Sequence, residues 1–189
     1  MSIPFPDTVF VLCTGRCGST TLARACAHLS NWTVAHESRT HLLGEARFAV
    51  PPRHIEVDNR LAWMLGRLDR AWGDRAAYVH LSRDPAEVAA SYAARAHQGL
   101  AKAWREGILA RHLRRPPVPP LIDACRDMIE TIEANIDHFL RDKTHVLSMR
   151  LETLEEDFET FAGWIGAEGD LESARAEIRV RHNPTEPER

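Results

Sequence analysis

The stretch "VFVLCTGRCGSTTLARACAHL", Val9 to Leu29, decides how the chain is read. Its opening residues are apolar, β-branched and aromatic, the composition of a buried strand. Gly15 and Gly18 then turn the chain. Leu22, Ala25, Cys26 and Leu29 recur at helical spacing, so a helix begins near Ser19 or Thr20, either of which is suited to cap it. A strand, a glycine turn and a helix in that order gather backbone N–H groups and the positive end of a helix dipole around one point. That is an anion site.

Outward from this unit the alternation repeats. Trp32 to His36 reads as a second strand, and residues 38–59 read as loop, with Pro51 and Pro52 breaking any helix. Asn59 starts a helix that carries Leu61, Met64, Leu65, Leu68 and Trp72 on one face. Ala77 to Leu81 is a third strand, and "RDPAEVAASYAARA" follows it at once. There Asp84 caps, Pro85 takes the first helical position and Glu87 completes a capping-box pattern, in a helix expected to run toward Trp104. "RRPPVPP" breaks the chain. Leu121 to Leu140 is a long amphipathic helix, His145 to Met149 a further strand, and helices near Leu154 to Ile165 and Leu171 to Val180 close the sequence. Strands alternating with helices imply an α/β fold: a three-layer, P-loop-type parallel sheet of about four to five strands flanked by helices. Residues 1–189 form a single domain on this reading. Ligands of such sheets bind beyond the carboxyl ends of the strands, where residues 14–21 and 83–91 both fall.

The 189 residues are enough for one substantial core, and 44% hydrophobic with 27% charged content is ordinary for a globular protein. A net charge of −3 argues against a general nucleic-acid binder. The N-terminus has no basic segment before its apolar run, and no apolar stretch approaches the roughly 20 residues of a membrane span. Cys13, Cys17, Cys26 and Cys125 lack disulfide or zinc spacing and read as reduced thiols, so a cytoplasmic location is expected. The ten histidines show no metal-binding spacing, and no metal is expected.

What the loop holds is narrowed by what it lacks. An ATP-type loop needs GxxxxGK[ST], whose lysine reaches the β- and γ-phosphates and whose hydroxyl holds magnesium. Here Arg16 lies between the two glycines and Ser19 follows the second. A low-molecular-weight phosphatase loop needs an arginine at a set place after its cysteine. From Cys13 that place is Ser19, and from Cys17 it is Ala23.

"TGRCGSTT" resembles the 5′-phosphosulfate loop of sulfotransferases that use 3′-phosphoadenosine 5′-phosphosulfate (PAPS). In that family a basic residue, a small residue, glycine and two hydroxyl residues follow the first strand. Arg16, Gly18, Ser19 and Thr20 stand at those places. The family's second motif is an arginine at a strand end and a serine eight positions later, which "LSRDPAEVAASYAAR" supplies as Arg83 and Ser91. "MRLETLEEDFETFAGWIG" resembles the family's late strand and helix more weakly. Cys17 stands where serine is frequent. Thr21 stands where some relatives carry tryptophan, which suggests the bacterial or carbohydrate-type branch.

The resemblance implies a sulfotransferase that moves a sulfuryl group in line from PAPS to an acceptor hydroxyl and leaves PAP, the 3′,5′-bisphosphate. Gly15, Arg16, Cys17, Gly18, Ser19, Thr20 and Thr21 would take the 5′ end, and Arg83 and Ser91 the 3′-phosphate. Arg16 would stabilise charge on the leaving oxygen. Glu37, after the second strand, is the expected base, with His54, His36 and His41 as alternatives. The bland role for Glu37 is an ion pair with Arg39 or Arg16, and for Arg83 a helix-start pair. His80 is expected in the core or behind the site, and Arg179 and Arg181 as late closers over the 3′-phosphate. Cys17, at a helix start beside arginine, is expected to be an accessible thiol shielded by bound nucleotide. The resemblance implies an acceptor that is a small molecule or carbohydrate bearing a hydroxyl. Two other readings stand beside this one: a divergent P-loop nucleotide kinase, and a non-catalytic PAPS- or nucleotide-binding module.

Overall fold

A computed structural model describes residues 5–109, 119–180 and 182. Among these residues, five parallel strands form one sheet: β1 (Thr8–Leu12), β2 (Thr33–His36), β3 (His54–Val57), β4 (Ala77–Ser82) and β5 (Val146–Arg150), in the order β2-β3-β1-β4-β5. Among the described residues, seven α-helices connect and cover them: α1 (Ser19–Cys26), α2 (Leu65–Trp72), α3 (Pro85–Ala93), α4 (Gly99–Ala103), α5 (Leu121–Leu140), α6 (Leu154–Trp164) and α7 (Leu171–Ile178).

β1 lies at the centre, and all five of its residues are buried. Successive side chains point to opposite faces. Val9 and Val11 enter a core built with α1, α6 and α7, around Leu22, Phe158 and Phe161. Phe10 and Leu12 enter a second core built with α2, α3 and α5, around Tyr78, Met128 and Ile132. The expected three-layer α/β architecture is therefore present. β1 connects toward one edge of the sheet and its neighbour β4 toward the other. The crevice between their carboxyl ends is the switch point where such sheets bind ligands.

Three local expectations change. Residues 38–59 are not all loop. His54–Val57 is β3, which pairs with β1 and β2 on its two sides. The segment from Asn59 begins as a 3-10 turn (Asn59–Trp63) capped by Asp58, with α2 only from Leu65. The helix after "RDP" stops at Ala93: Arg95 N–H bonds back only three residues, to Tyr92 O, and Gly99 at φ +59° restarts the chain as α4, followed by a π turn (Trp104–Ile108). Most of "RRPPVPP" and Arg181 lie outside the described residues.

Candidate functional site

The loop after β1 is built by backbone geometry. Gly15, Arg16 and Gly18 lie at φ +82°, +61° and +88°, left-handed values that favour glycine. A Cβ at Gly15 would stand 2.4 Å from Tyr92 Oη, and one at Gly18 2.5 Å from Leu151 Cδ1, so neither position has room for a side chain. Gly18, not Ser19 or Thr20, is the N-cap of α1, and no side chain caps the helix. Ser19, Thr20 and Thr21 thus form its first turn, where N–H groups have no acceptor within the helix.

The two motifs meet. Arg16 Nε donates to Ser91 Oγ at 2.9 Å, and Arg83 Nη1 donates to the Arg16 carbonyl at 3.3 Å. Tyr92, beside Ser91 on α3, donates its hydroxyl to Thr14 O at 2.6 Å, tying the helix to the loop. Burial, then the charges of Arg95 and Arg83, hold the Arg16 guanidinium below its ordinary pKa. Desolvated positive charge is concentrated here and favours an anion. Arg83 also makes the helix-start pair, to Glu87 Oε2 at 3.0 Å. Asp84 caps α3 by accepting from the N–H groups of Ala86 and Glu87. Its own N–H goes to Glu152 Oε1 at 2.8 Å rather than back to Glu87, so the capping box is not reciprocal.

The other candidates divide. Glu37 follows β2 in the left-handed region, φ +52°, and pairs with Arg60 rather than with Arg39 or Arg16. Burial, above all, raises the Tyr92 hydroxyl pKa. His36 sits beside the loop, its Nε2 3.1 Å from Ser19 Oγ. His41 is exposed after the turn. His54 lies at the amino end of β3, in register with Thr8 and so at the end of the strands opposite the loop. Its ring nitrogens meet Thr33 Oγ1 at 2.8 Å and Glu56 Oε2 at 3.2 Å.

Cys17 does not present a thiol to the site. The whole residue is 0% exposed and belongs to the α1-side core, its side chain hydrogen-bonded with that of Cys13. His80 stands between β4 and α5, 2.7 Å from Glu133. Arg179 is bound by Glu155 on α6, its Nε donating at 3.0 Å.

Arg95, Arg60 and Tyr92 were not singled out from the sequence. A signal for Arg95 was present: it follows Ser91 by four residues, one helical turn along the same face. Arg60 carried none, because its partner Glu37 is far away in sequence.

No protein-family model matches the chain, and no curated protein matches its sequence. Solved structures do match. Mouse sulfotransferase SULT7A1, complexed with PAP, aligns over 93% of this chain and 65% of its own, with 14% identity and a TM-score of 0.57. The sulfotransferase domain from the curacin biosynthetic pathway aligns over 98% of this chain and 82% of its own, with 12% identity and a TM-score of 0.60. The chain thus spans just under two thirds of the mouse protein's length, and what it shares with both is the fold of a sulfotransferase.

Proposed function

We propose that this chain is a PAPS-dependent sulfotransferase acting on a hydroxyl of a small molecule or carbohydrate. One observation carries the reading: the loop after β1 and the arginine–serine pair after β4 are bonded to each other, Arg16 to Ser91 and Arg83 to Arg16, at the switch point of the sheet. Such a site has two anion-binding ends, and the donor has a phosphosulfate at one end and a 3′-phosphate at the other. The residues fit it. Arg95 and Arg83 lie within electrostatic reach of partly buried Arg16, and glycines whose Cβ would crowd their neighbours bring the backbone close. No lysine stands in the loop to serve ATP.

PAPS supplies an activated sulfuryl group, whose transfer leaves charge on a phosphate oxygen. The backbone N–H groups of Gly18 to Thr21 and the hydroxyls of Ser19, Thr20 and Thr21 would hold the 5′ end. Arg83 would exchange Glu87 and the Arg16 carbonyl for the 3′-phosphate, a bidentate match. Ser91 would add a donor there. Arg16 would stabilise the leaving oxygen, staying protonated throughout. Glu37 would take the acceptor's proton once its carboxylate parts from Arg60.

The test has two steps. Calorimetric titration should show binding of adenosine 3′,5′-bisphosphate and none of MgATP; the reverse result would identify a kinase. Sulfate release from PAPS to phenols, monosaccharides and water should then fall by about 10²–10⁴-fold in Glu37→Gln. Equal loss in His36→Ala with none in Glu37→Gln would move the base to His36. Tight bisphosphate binding without any transfer would leave a nucleotide-binding module.

A further inference from the structure

Glu37 occupies a costly conformation. A left-handed glutamate is about 1–2 kcal/mol less favourable than a right-handed or extended one, so surrounding bonds must impose it. Its N–H donates to Val57 O across the β2–β3 edge at 3.0 Å. The next residue is held more firmly. Ser38 N–H donates to Glu56 Oε1 at 2.9 Å, and Ser38 Oγ donates to Glu56 Oε2 at 2.7 Å. Glu56 points from the middle of β3 and is 1% exposed. Burial opposes its charge, but the bonds from His54 and Ser38 outweigh burial and hold the carboxyl below its ordinary pKa.

A buried carboxylate is a poor source of net stability, since an apolar side chain of the same size would usually serve the core as well. Its placement here has a specific consequence. Both of its oxygens accept from the residue that follows Glu37, and Oε2 also meets His54. The neighbouring buried carboxylate acts on the other side of the same pair. Asp58 accepts from Arg60 N–H at 2.8 Å, seating the arginine that Glu37 contacts, and is itself paired with buried Arg47.

We propose that Glu56 is a positioning residue for Glu37: by binding both donors of Ser38 it fixes the left-handed turn from which Glu37 reaches the acceptor hydroxyl. It touches no reacting atom, and the inference rests on Glu37 being the base.

The experiment uses the full chain, with Glu56→Gln and, because a buried change can impair folding, the exposed-side variant Ser38→Ala. Water serves as acceptor, so hydrolysis of PAPS to bisphosphate and sulfate is the rate measured. Charge-assisted bonds are about twice as strong as neutral ones, so the Ser38 amide in Glu56→Gln should exchange its hydrogen about three- to tenfold faster. Hydrolysis should slow about tenfold in both variants through misplacement of the base. Bisphosphate affinity should stay within about twofold, because neither residue lies in the phosphate loops. In a Glu37→Gln background the same changes should cost nothing further. An equal loss in that background, a loss of bisphosphate affinity in step with the rate, an unchanged Ser38 exchange rate in Glu56→Gln, or full-rate variants would each overturn the inference. Full activity in Glu37→Gln would sink the base assignment and this inference together. A slow Glu37→Gln beside full-rate Glu56→Gln and Ser38→Ala would sink this inference alone.

Discussion

Arg83 divides its guanidinium between the Arg16 carbonyl and the Glu87 carboxylate, and both partners are weaker than a dianionic phosphate. Glu87 is largely exposed, so its pair with Arg83 contributes little and is readily exchanged. Arg95 differs. It stands four residues beyond Ser91, in the turn that follows α3, and its charge is the second cause, after burial, of the depressed Arg16 pKa. A group that raises the cost of a neighbour's charge is stabilised when an anion arrives between them. Arg83→Ala should therefore weaken adenosine 3′,5′-bisphosphate by about 10–100-fold, the worth of a charge-assisted pair, and hardly affect adenosine 5′-monophosphate. Arg95→Ala should weaken both nucleotides by a similar factor, because it acts on the field around Arg16 rather than on one phosphate. Calorimetric titration of the two nucleotides against each variant checks this. Equal losses for both nucleotides in Arg83→Ala would contradict its assignment to the 3′ end, and unchanged binding in Arg95→Ala would remove it from the site.

Among the elements, those with strong local signals were legible in the sequence. β1 is an unbroken apolar run, and α5 shows its amphipathic period over its whole observed length. α3 begins where Asp84 and Pro85 say it must. β3 was not legible, for a physical reason. "HIEV" is four residues long, follows two prolines, and carries a histidine and a glutamate that look solvent-facing. All four are buried, because His54 and Glu56 satisfy each other and bond Thr33 and Ser38. A long-range polar network leaves no trace in local periodicity. The same blindness hid Arg60 and misplaced His54, whose distance from the loop depends on β3 existing at all. The network makes β3 sensitive to acid. The folded-state pKa of Glu56 lies below that of the unfolded chain, near 4.3 for a free glutamate. Its contribution is fully present above the unfolded value and is lost as pH falls through the folded one. The urea midpoint of the native chain should exceed that of Glu56→Gln at pH 6, and the gap should narrow as the pH falls below the unfolded value. A gap independent of pH would mean that Glu56 is not held ionised by its bonds.

At the scale of the whole molecule, the sheet separates two cores, and the four cysteines report on both. Cys13, Cys17 and Cys26 lie in the α1-side core, and Cys125 lies in the other, on α5. None exceeds 1% exposure. The hydrogen bond to Cys17 and then burial raise the Cys13 thiol pKa, and burial raises those of Cys26 and Cys125. A thiol that is both covered and protonated reacts only when its surroundings open. Its place at a helix start beside arginine suggested that Cys17 would be labelled in the native loop and shielded by nucleotide standing over it. Burial changes the expectation: protection by nucleotide should come from mass action on the folded state. At about 100 times its dissociation constant, adenosine 3′,5′-bisphosphate should stabilise the chain by about 2.7 kcal/mol, a factor of about 100. Alkylation of all four cysteines, followed by mass spectrometry of the labelled peptides, should then slow by that common factor, Cys125 as much as Cys17. Rapid native labelling of Cys17, or protection confined to Cys17 while Cys125 is unaffected, would show that the loop opens on its own and that its backbone cradle is not anchored to the core beneath it.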